Sequence, residues 1–409
     1  MSSAPIHGFS RERLKRIDRF LQDRYVGSGR MPCAQLLVAR GGEVAHQSVL
    51  GQQDPERGVA LAEDTVFRIY SMTKPVTSVA LMSLVEEGLI ALDDPVARHI
   101  PEWAGLGLFQ AGVPGGFLTV PPERPMQVVD LLRHTSGLTY SFQYRSNVDA
   151  AYRQLNLEGF HGERDLQGMI ETLARLPLEF SPGSAWNYSV STDVVGYLVQ
   201  KLAGKPLDQV FRERIFAPLK MVDTGFFVRE DQLPRFAACY EATPQGGLKL
   251  QDDARTSPFL APPKLLSGGG GLVSTAADYL RFTRMLLNGG ELDGARILAP
   301  RTLKLMTANH LPGGGDLTRH SRSLFSESTY AGVGFGLGFA VVFDPLQTLL
   351  PSSPGEFYWG GMASTAFWCD PVEDIIAIFM TQLLPSSATT VRRELRTLVY
   401  SALLEPRAA

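Results

Sequence analysis

The sequence predicts an α+β fold: an antiparallel β-sheet flanked by helices, with a mainly helical domain inserted between the parts of the chain that form the sheet. Strand-like segments lie near both ends of the 409-residue chain, whereas residues 92–262 have the patterns of helices and loops. Because such strands pair most simply in one sheet, we expect residues 1–91 and 263–409 to form the sheet domain. Residues 92–262 then form the inserted helical domain, and the cleft between the two domains is the expected active site.

The first elements of the sheet domain follow from periodicity. Apolar residues at three-to-four spacing predict a helix over Ser10–Tyr25. Two strands are expected next, Ala34–Ala39 and Glu43–Val49, joined by a hairpin turn at residues 40–42. The run Lys74–Glu87 has apolar residues on most of its surface and therefore predicts a buried helix.

The middle and the end of the chain differ in pattern. The clearest helices of the inserted domain are Met126–Arg133, Leu166–Arg175, Thr192–Ala203 and Leu207–Phe216. Strand patterns return near the C-terminus, before a last amphipathic helix, at Val333–Val342, Glu356–Cys369 and Asp374–Gln382, with the helix near Ala388–Leu404. Glycines alternate with large apolar residues in Gly334–Phe339, so one strand face is bare, and we expect a packed helix there rather than a ligand.

Composition excludes several classes of protein. The chain has 39 Lys+Arg against 42 Asp+Glu, a net charge of −3, and 44% hydrophobic residues, which is the balance of a folded chain with a core. So small a net charge argues against binding to nucleic acid or to anionic membranes. No segment reaches the ~18 consecutive apolar residues of a membrane span, and the N-terminus lacks the apolar stretch of a secretory leader, so we expect a cytoplasmic protein.

Cofactor chemistry has little support in the sequence. Cys33, Cys239 and Cys369 are far apart and have apolar neighbours, which favours buried free thiols over disulfides. The 7 His show no spacing typical of metal ligands, so we predict no metal and no cofactor. The Gly268–Gly271 run lacks the Lys of a phosphate-binding loop, which argues against nucleotide binding. No serine has the flanking glycines of a nucleophile elbow, which argues against a Ser-His-Asp α/β-hydrolase.

Ser71 and Lys74 are the first candidates for a reaction. If Ser71 begins the helix that follows it, positions i and i+3 share a face, so the amine can reach the hydroxyl. Burial or a neighbouring cation would favour the neutral amine, which can then act as a base. The helix N-terminus adds N–H donors near a developing oxyanion. The alternative is that Ser71 only caps the helix and that Lys74 lies in solvent.

Two further elements can complete such a site. Tyr188 lies on a loop before a helix, and a tyrosine beside a lysine can relay a proton between nucleophile and leaving group; alone, it is more often a core or surface aromatic residue. In Trp359-Gly360-Gly361-Met362, paired glycines on a strand let a substrate lie against the backbone, and the following N–H can serve as an oxyanion donor. The alternative for this segment is a β-bulge.

These elements, in this order, resemble the serine β-lactamase and penicillin-binding superfamily, and more closely its class C β-lactamase-like branch. The resemblance implies Ser71 as the acylated nucleophile, Lys74 as its base, Tyr188 as the proton relay, and the backbone N–H groups of Ser71 and Met362 as the oxyanion hole. It spans most of the chain and is carried by four motifs at residues 66–74, 130–138, 182–190 and 267–275. His134 belongs to the second motif, but we interpret His134-Thr135-Ser136-Gly137 as a capping turn in which Gly137 has a positive φ.

Departures from the family pattern favour an esterase. Lactamases and D,D-peptidases usually carry Lys-Thr-Gly on the strand beside the nucleophile, a cation and hydroxyl suited to a substrate carboxylate. This chain has Trp359-Gly360-Gly361 at that place, which looks like the family VIII carboxylesterases, and an indole cannot replace the ammonium. Tyr188-Ser189-Val190 instead of Tyr-x-Asn also removes an amide that would bind an acylamino group.

We therefore predict a serine carboxylesterase that hydrolyses small, uncharged, short-chain esters through an acyl-enzyme on Ser71. The alternatives are a β-lactamase or D-alanyl-D-alanine peptidase-like hydrolase, an acyltransferase that uses the same Ser-Lys-Tyr site, and an inactive binding protein that keeps the fold. The expected partner is a small-molecule ester, with no nucleic acid and no membrane, and the sequence leaves the oligomeric state open. Loops at Gly105–Pro122 and Leu311–Tyr330 are expected to line the pocket.

Overall fold

The computed structural model describes residues 5–159, 162–322 and 330–407. Its α-helices are α1 (Arg11–Leu21), α2 (Thr73–Glu86), α3 (Val96–His99), α4 (Val128–Leu132), α5 (Asn147–Gln154), α6 (Leu166–Leu173), α7 (Ser191–Ala203), α8 (Leu207–Phe211), α9 (Ala276–Leu287), α10 (Pro300–Met306), α11 (Leu317–His320), α12 (Pro345–Thr348) and α13 (Val391–Ala402). Within these three ranges, no helix is long and apolar enough to cross a membrane.

The strands of the same ranges are β1 (Cys33–Arg40), β2 (Glu43–Asp54), β3 (Val59–Ala60), β4 (Phe67–Arg68), β5 (Leu108–Val113), β6 (Gly116–Val120), β7 (Cys239–Ala242), β8 (Leu248–Asp252), β9 (Val273–Ser274), β10 (Glu291–Leu292), β11 (Ala295–Arg296), β12 (Val333–Phe335), β13 (Ala340–Val342), β14 (Phe357–Gly360), β15 (Ala366–Asp370), β16 (Ile375–Met380) and β17 (Leu383–Leu384).

Eight strands form one antiparallel sheet, in the order β12-β13-β14-β15-β16-β1-β2-β3. Its strands come from residues 33–60 and 333–380, so the two ends of the chain meet where β1 pairs with β16. This sheet confirms the predicted α+β class with an antiparallel sheet flanked by helices. The domain boundaries at residues 91/92 and 262/263 stay a prediction.

The central strand β1 is buried along its whole length because helices cover both faces of the sheet. Leu36 and Val38 point to one face, where they pack in a cluster with residues of α1 and α13. Leu37 and Ala39 point to the opposite face and belong to the main core, which also contains residues of α2 and α9. The alternation follows from the two-residue period of a strand, and burial on both faces explains why Leu36 to Ala39 are all apolar.

Helix α2 lies inside the core, as its apolar sequence predicts. Eleven of its side chains are buried, and it packs against α7. The residues before it, Tyr70–Met72, form a 3-10 turn, so Ser71 precedes α2 by two residues instead of beginning it. Gly338 has a φ of +99°, and a Cβ there would lie 2.3 Å from Ser78 Oγ of α2. The sheet therefore approaches the helix closely at this point.

Two strands predicted as continuous are each a hairpin. The segment Val333–Val342 contains β12 and β13, which pair with each other, and Glu356–Cys369 contains β14 and β15. The prediction of continuous strands was wrong. In the first segment, glycines and apolar residues alternate through the turn and hide it, whereas in the second, Gly361, Ser364 and Thr365 mark a turn that the prediction did not include. The alternating glycines do contact protein, as expected: a Cβ at Gly336 would lie 2.1 Å from the Met306 carbonyl oxygen at the end of α10.

The middle of the chain contains strands that periodicity did not indicate. The hairpin β5–β6 covers much of the segment expected as a loop at Gly105–Pro122. Its side chains are mostly exposed or half-buried, so they lack the alternation that marks a strand with one buried face. A second hairpin, β7–β8, pairs in parallel with β17. The predicted helices are present within a few residues of their expected bounds.

Candidate active site

The predicted pair Ser71 and Lys74 lies within hydrogen-bond distance, with Lys74 Nζ 3.2 Å from Ser71 Oγ. Ser71 is half-buried at the wall of a cavity, whereas Lys74 is 1% exposed. The 3-10 turn ahead of α2 sets this distance, and Tyr70 begins that turn in the left-handed region at a φ of +42°. The interpretation of Lys74 as a solvent-exposed surface residue is therefore excluded.

Lys74 Nζ has two further polar neighbours. It donates to the Gly269 carbonyl at 2.7 Å and lies 3.0 Å from the Tyr140 hydroxyl. A neutral amine has two N–H groups and one lone pair, so it can donate to two of its three neighbours and accept the proton of Ser71. Burial, together with the charge of Asp193, raises the pKa of the Tyr140 hydroxyl well above its usual range, so this phenol remains protonated.

Tyr188 lies at the same site but meets Lys74 through its ring. Lys74 Nζ is 4.5 Å from the centroid of the Tyr188 ring, which is cation–π distance. The Tyr188 hydroxyl accepts a hydrogen bond from Trp359 Nε1 at 3.3 Å. The predicted residues Ser71, Lys74, Tyr188 and Trp359 are therefore brought together, and all but Lys74 line the cavity.

The predicted oxyanion donors lie on two different elements of the cavity wall. Ser71 belongs to the turn before α2, and Met362 to the turn between β14 and β15. Among the described residues, neither backbone N–H donates a hydrogen bond, so both are available to a ligand oxygen. Arg392 donates to the carbonyls of Gly361 and Thr365 and so holds the turn that carries Met362.

Gly360 and Gly361 are required by protein packing. A Cβ at Gly360 would lie 2.7 Å from Arg392 Cζ, and one at Gly361 would lie 2.5 Å from the carbonyl oxygen of Ile69. Both glycines also line the cavity, so the expectation that they make room for substrate stays a prediction. The glycine at 361 lets the β14–β15 turn approach the segment that carries Ser71.

The cavity measures about 550 Å³ and is mostly apolar. Aromatic side chains supply much of its wall, namely Tyr70, Tyr140, Phe142, Tyr188, Tyr330, Tyr358 and Trp359. Of the two predicted loops, residues 105–122 contribute nothing to this wall, and the described part of Leu311–Tyr330 contributes Tyr330. Residues 323–329 of that loop lie outside the described residues. The polar wall includes Glu158, Ser386, Arg392 and Arg393.

Sequence reasoning missed Tyr140 and Gly269, the two neighbours that hold Lys74. Tyr140 follows the His134–Gly137 turn by three residues. Gly269 lies in the Gly268–Gly271 run, which belongs to the fourth motif of the resemblance but for which no catalytic role was predicted. The turn itself is as predicted: Gly137 has a φ of +87°, and a Cβ there would lie 2.4 Å from the Phe180 carbonyl oxygen. His134 is buried, and this burial, with the charge of Lys74, lowers its pKa well below the usual range.

Comparison with known proteins supports the resemblance. The family model described as Beta-lactamase matches residues 17–401. Protein Rv1367c of Mycobacterium tuberculosis (strain ATCC 25618 / H37Rv) is 37% identical over 361 residues, which cover 88% of this chain and 87% of that protein. Esterase EstB of Burkholderia gladioli is 30% identical over 378 residues, 88% of each chain.

A solved structure gives the same result for the fold. EstCE1, described as a hydrolase with promiscuous acyltransferase activity, superimposes with a TM-score of 0.79 at 26% identity, over 96% of this chain and 98% of that chain. The similarity thus extends over nearly the whole chain, and the relatives include proteins described as esterases and one described as an acyltransferase. By its sequence, its antiparallel sheet and its relatives, the chain belongs to the beta-lactamase family of serine hydrolases and is similar to the family VIII esterases within it.

Proposed function

We propose that the protein is a serine carboxylesterase that hydrolyses small, uncharged, short-chain esters through an acyl-enzyme on Ser71. The observation that carries this proposal is the 3.2 Å distance between Lys74 Nζ and Ser71 Oγ, with the amine buried and the hydroxyl at the cavity wall. A base within hydrogen-bond distance of an accessible hydroxyl is the arrangement of an activated nucleophile.

The reaction begins with the transfer of the Ser71 hydroxyl proton to Lys74 Nζ while Oγ bonds to the ester carbonyl carbon. The carbonyl oxygen takes the displaced electron pair and is bound by the backbone N–H groups of Ser71 and Met362. The proton then passes through the Tyr188 hydroxyl to the departing alkoxide as its bond to carbon breaks. Water repeats the sequence in reverse and releases the acid.

Two features support a neutral ester as the substrate. The cavity wall is mostly apolar and includes many aromatic side chains, and the place of the family's strand lysine is taken by Trp359, whose indole N–H is bonded to Tyr188. A β-lactam or a D-alanyl peptide bears a carboxylate, and strand β14 has no lysine at this place to pair with it. Comparison of p-nitrophenyl butyrate with nitrocefin tests the assignment, and a higher kcat/KM for nitrocefin would overturn it.

Acyl transfer is the second candidate function. The related EstCE1 is described as having promiscuous acyltransferase activity, and an aromatic cavity favours an alcohol over water as the acyl acceptor. Product analysis with p-nitrophenyl butyrate and an added short alcohol distinguishes the two reactions. Butyrate as the main product supports hydrolysis, whereas butyrate ester of the added alcohol as the main product supports transfer.

A further inference from the structure

Asp193 is a buried carboxylate that Gly269 links to Lys74 by hydrogen bonds. It is the third residue of α7 and is 3% exposed. Its Oδ1 accepts hydrogen bonds from the Gly269 backbone N–H at 3.0 Å and from the Ser267 hydroxyl. No arginine or lysine within the described ranges forms a salt bridge with it. A buried carboxylate that lacks a contacting cation is costly, so its retention calls for a specific role.

One residue joins Asp193 to the proposed base. Gly269 donates its N–H to Asp193 and accepts a hydrogen bond from Lys74 Nζ on its carbonyl at 2.7 Å. A Cβ at Gly269 would lie 2.5 Å from Asp193 Oδ2 and 3.0 Å from the Tyr140 hydroxyl. The second carboxylate oxygen therefore lies on the same side of Gly269 as the phenol that contacts Lys74. The two hydrogen bonds to Oδ1 hold the carboxylate next to the residue that accepts the Lys74 hydrogen bond.

The other titratable groups around Lys74 supply little compensating charge. Burial lowers the pKa of His134 and raises that of Tyr140, so both are neutral near pH 7. Tyr188 presents its ring to the amine. Glu158, whose pKa is raised by burial, is held at the cavity wall by the Ser141 backbone N–H. Burial also raises the pKa of Asp193. The charge of Lys74 is the largest influence that lowers this pKa again, and the hydrogen bonds from Ser267 and Gly269 lower it further.

We propose that Asp193 is a positioning residue whose fixed negative charge stabilises the ammonium that Lys74 becomes when it takes the proton of Ser71. The carboxylate touches neither substrate nor nucleophile, and it neither gains nor loses a proton during the step. It acts through Gly269, whose carbonyl it holds near Nζ, and through its field, because both Asp193 and Lys74 are buried and charges interact more strongly there than in water. The inference rests on the proposed acyl-enzyme chemistry.

The kinetic test is Asp193→Asn, which keeps an oxygen acceptor for Gly269 N–H and removes the charge. With p-nitrophenyl butyrate we expect kcat to fall by about 10- to 100-fold, with KM unchanged. The acid limb of the kcat/KM–pH profile should move to lower pH, because an ammonium without its anion loses its proton more readily. An unchanged limb would show that Asp193 serves the fold alone.

Asp278→Asn is the matched control. Asp278 is also a buried third residue of a helix, α9, and it accepts hydrogen bonds from the Asp223 backbone N–H and the Thr224 hydroxyl. Asp278→Asn removes a buried charge that does not face Lys74. Both kcat and the acid limb of the kcat/KM–pH profile should therefore stay as in the unmodified protein. A shift of the limb in this variant as large as that in Asp193→Asn would overturn the proposal.

A thermal double-mutant cycle tests the charge pairing without any activity. At a pH on the acid side of the rate profile, where Lys74 carries its proton, Lys74→Met leaves Asp193 as an uncompensated buried charge. The melting temperature should fall by about 4 °C, and adding Asp193→Asn should recover at least half of that loss. If Lys74→Met lowered the melting temperature equally in the unmodified protein and in the Asp193→Asn variant, the pairing would be overturned. If the unmodified protein showed no esterase activity, the proposed function would fail, while this cycle would still decide the pairing.

Discussion

The Tyr140 hydroxyl lies 3.0 Å from Lys74 Nζ, so a phenol absent from the predicted site contacts the base through its oxygen. The predicted phenol, Tyr188, offers the same amine its ring at 4.5 Å and directs its hydroxyl to Trp359. The two tyrosine rings are 5.2 Å apart. Lys74 is thus enclosed by aromatic groups that differ in how they meet it, and we expect the two phenols to have separable roles.

Tyr188→Phe should lower kcat by about 10²- to 10⁴-fold, since it removes the group that hands the proton to the leaving alkoxide. Tyr140→Phe removes one of three polar neighbours of Lys74 and should lower kcat by about tenfold, the cost of about one hydrogen bond to a charged group. Steady-state kinetics with p-nitrophenyl butyrate measures both. A larger loss in Tyr140→Phe than in Tyr188→Phe would transfer the relay to Tyr140.

Ser71→Ala and Lys74→Ala should each lower kcat by several orders of magnitude, and the double variant should be little worse than either, because the two groups act as a unit. Covalent labelling with an organophosphate, followed by intact mass, checks the nucleophile directly. The unmodified protein should gain one adduct, and Ser71→Ala should gain none. Labelling that persists in Ser71→Ala would place the nucleophile on another residue.

Gly269→Ala should damage both stability and turnover. The added Cβ would lie 2.5 Å from Asp193 Oδ2 and 3.0 Å from the Tyr140 hydroxyl, so the 267–271 segment has to shift and carry the Lys74 acceptor with it. We expect a loss of about 1–3 kcal/mol in the free energy of unfolding, typical of overpacking, measured by urea denaturation. Gly105→Ala is the control, because a Cβ there meets nothing within 4 Å. Equal stability of the two variants would contradict the contact.

His134 makes stability depend on pH between about 7.5 and 5.5. Burial, and then the charge of Lys74, lowers its folded-state pKa well below the usual 6.5. The unfolded chain therefore binds a proton in this range that the folded chain does not, and stability falls as the pH falls. At pH 5.5 this residue lowers the stability by on the order of 1 kcal/mol relative to pH 7.5. Urea denaturation at both pH values should show this decrement in the unmodified protein.

The variant His134→Asn should lose that decrement, whatever its stability at pH 7.5. The exposed His7 gives the control, since His7→Asn should keep the full pH dependence. If His134→Asn retained the same difference between pH 7.5 and 5.5 as the unmodified protein, the buried imidazole would have to be charged in the folded state.

The sequence was sufficient for those parts of the fold that depend on strong periodicity. The antiparallel sheet and α2 follow from apolar runs, which local residues determine. The three-residue spacing of Ser71 and Lys74 indicated their contact, although a 3-10 turn ahead of α2, and not the first turn of the helix, sets the distance. The exposed hairpin β5–β6 lacks alternation and was missed. The turn inside 333–342 was missed because the segment has no polar residue there, whereas the turn inside 356–369 was missed although Ser364 and Thr365 interrupt the apolar pattern.

The neighbours of Lys74 could not be predicted from local patterns of this kind. Tyr140 and Gly269 lie 66 and 195 residues from it along the chain. No local pattern reports a contact over such a separation, because tertiary packing alone creates it. The resemblance to the family indicated the right segments, but it did not say which of their atoms meet the amine.

The close approach of Gly361 to the Ile69 carbonyl has a practical consequence for mutational studies. Main-chain packing at this point positions the two proposed oxyanion-binding amides of the cavity, so an alanine scan leaves both donors in place and reports them as unimportant. Their contribution becomes measurable only when the amide itself is altered. Replacement of the linkage before Met362 by an ester, through semisynthesis, deletes one donor while every side chain is retained.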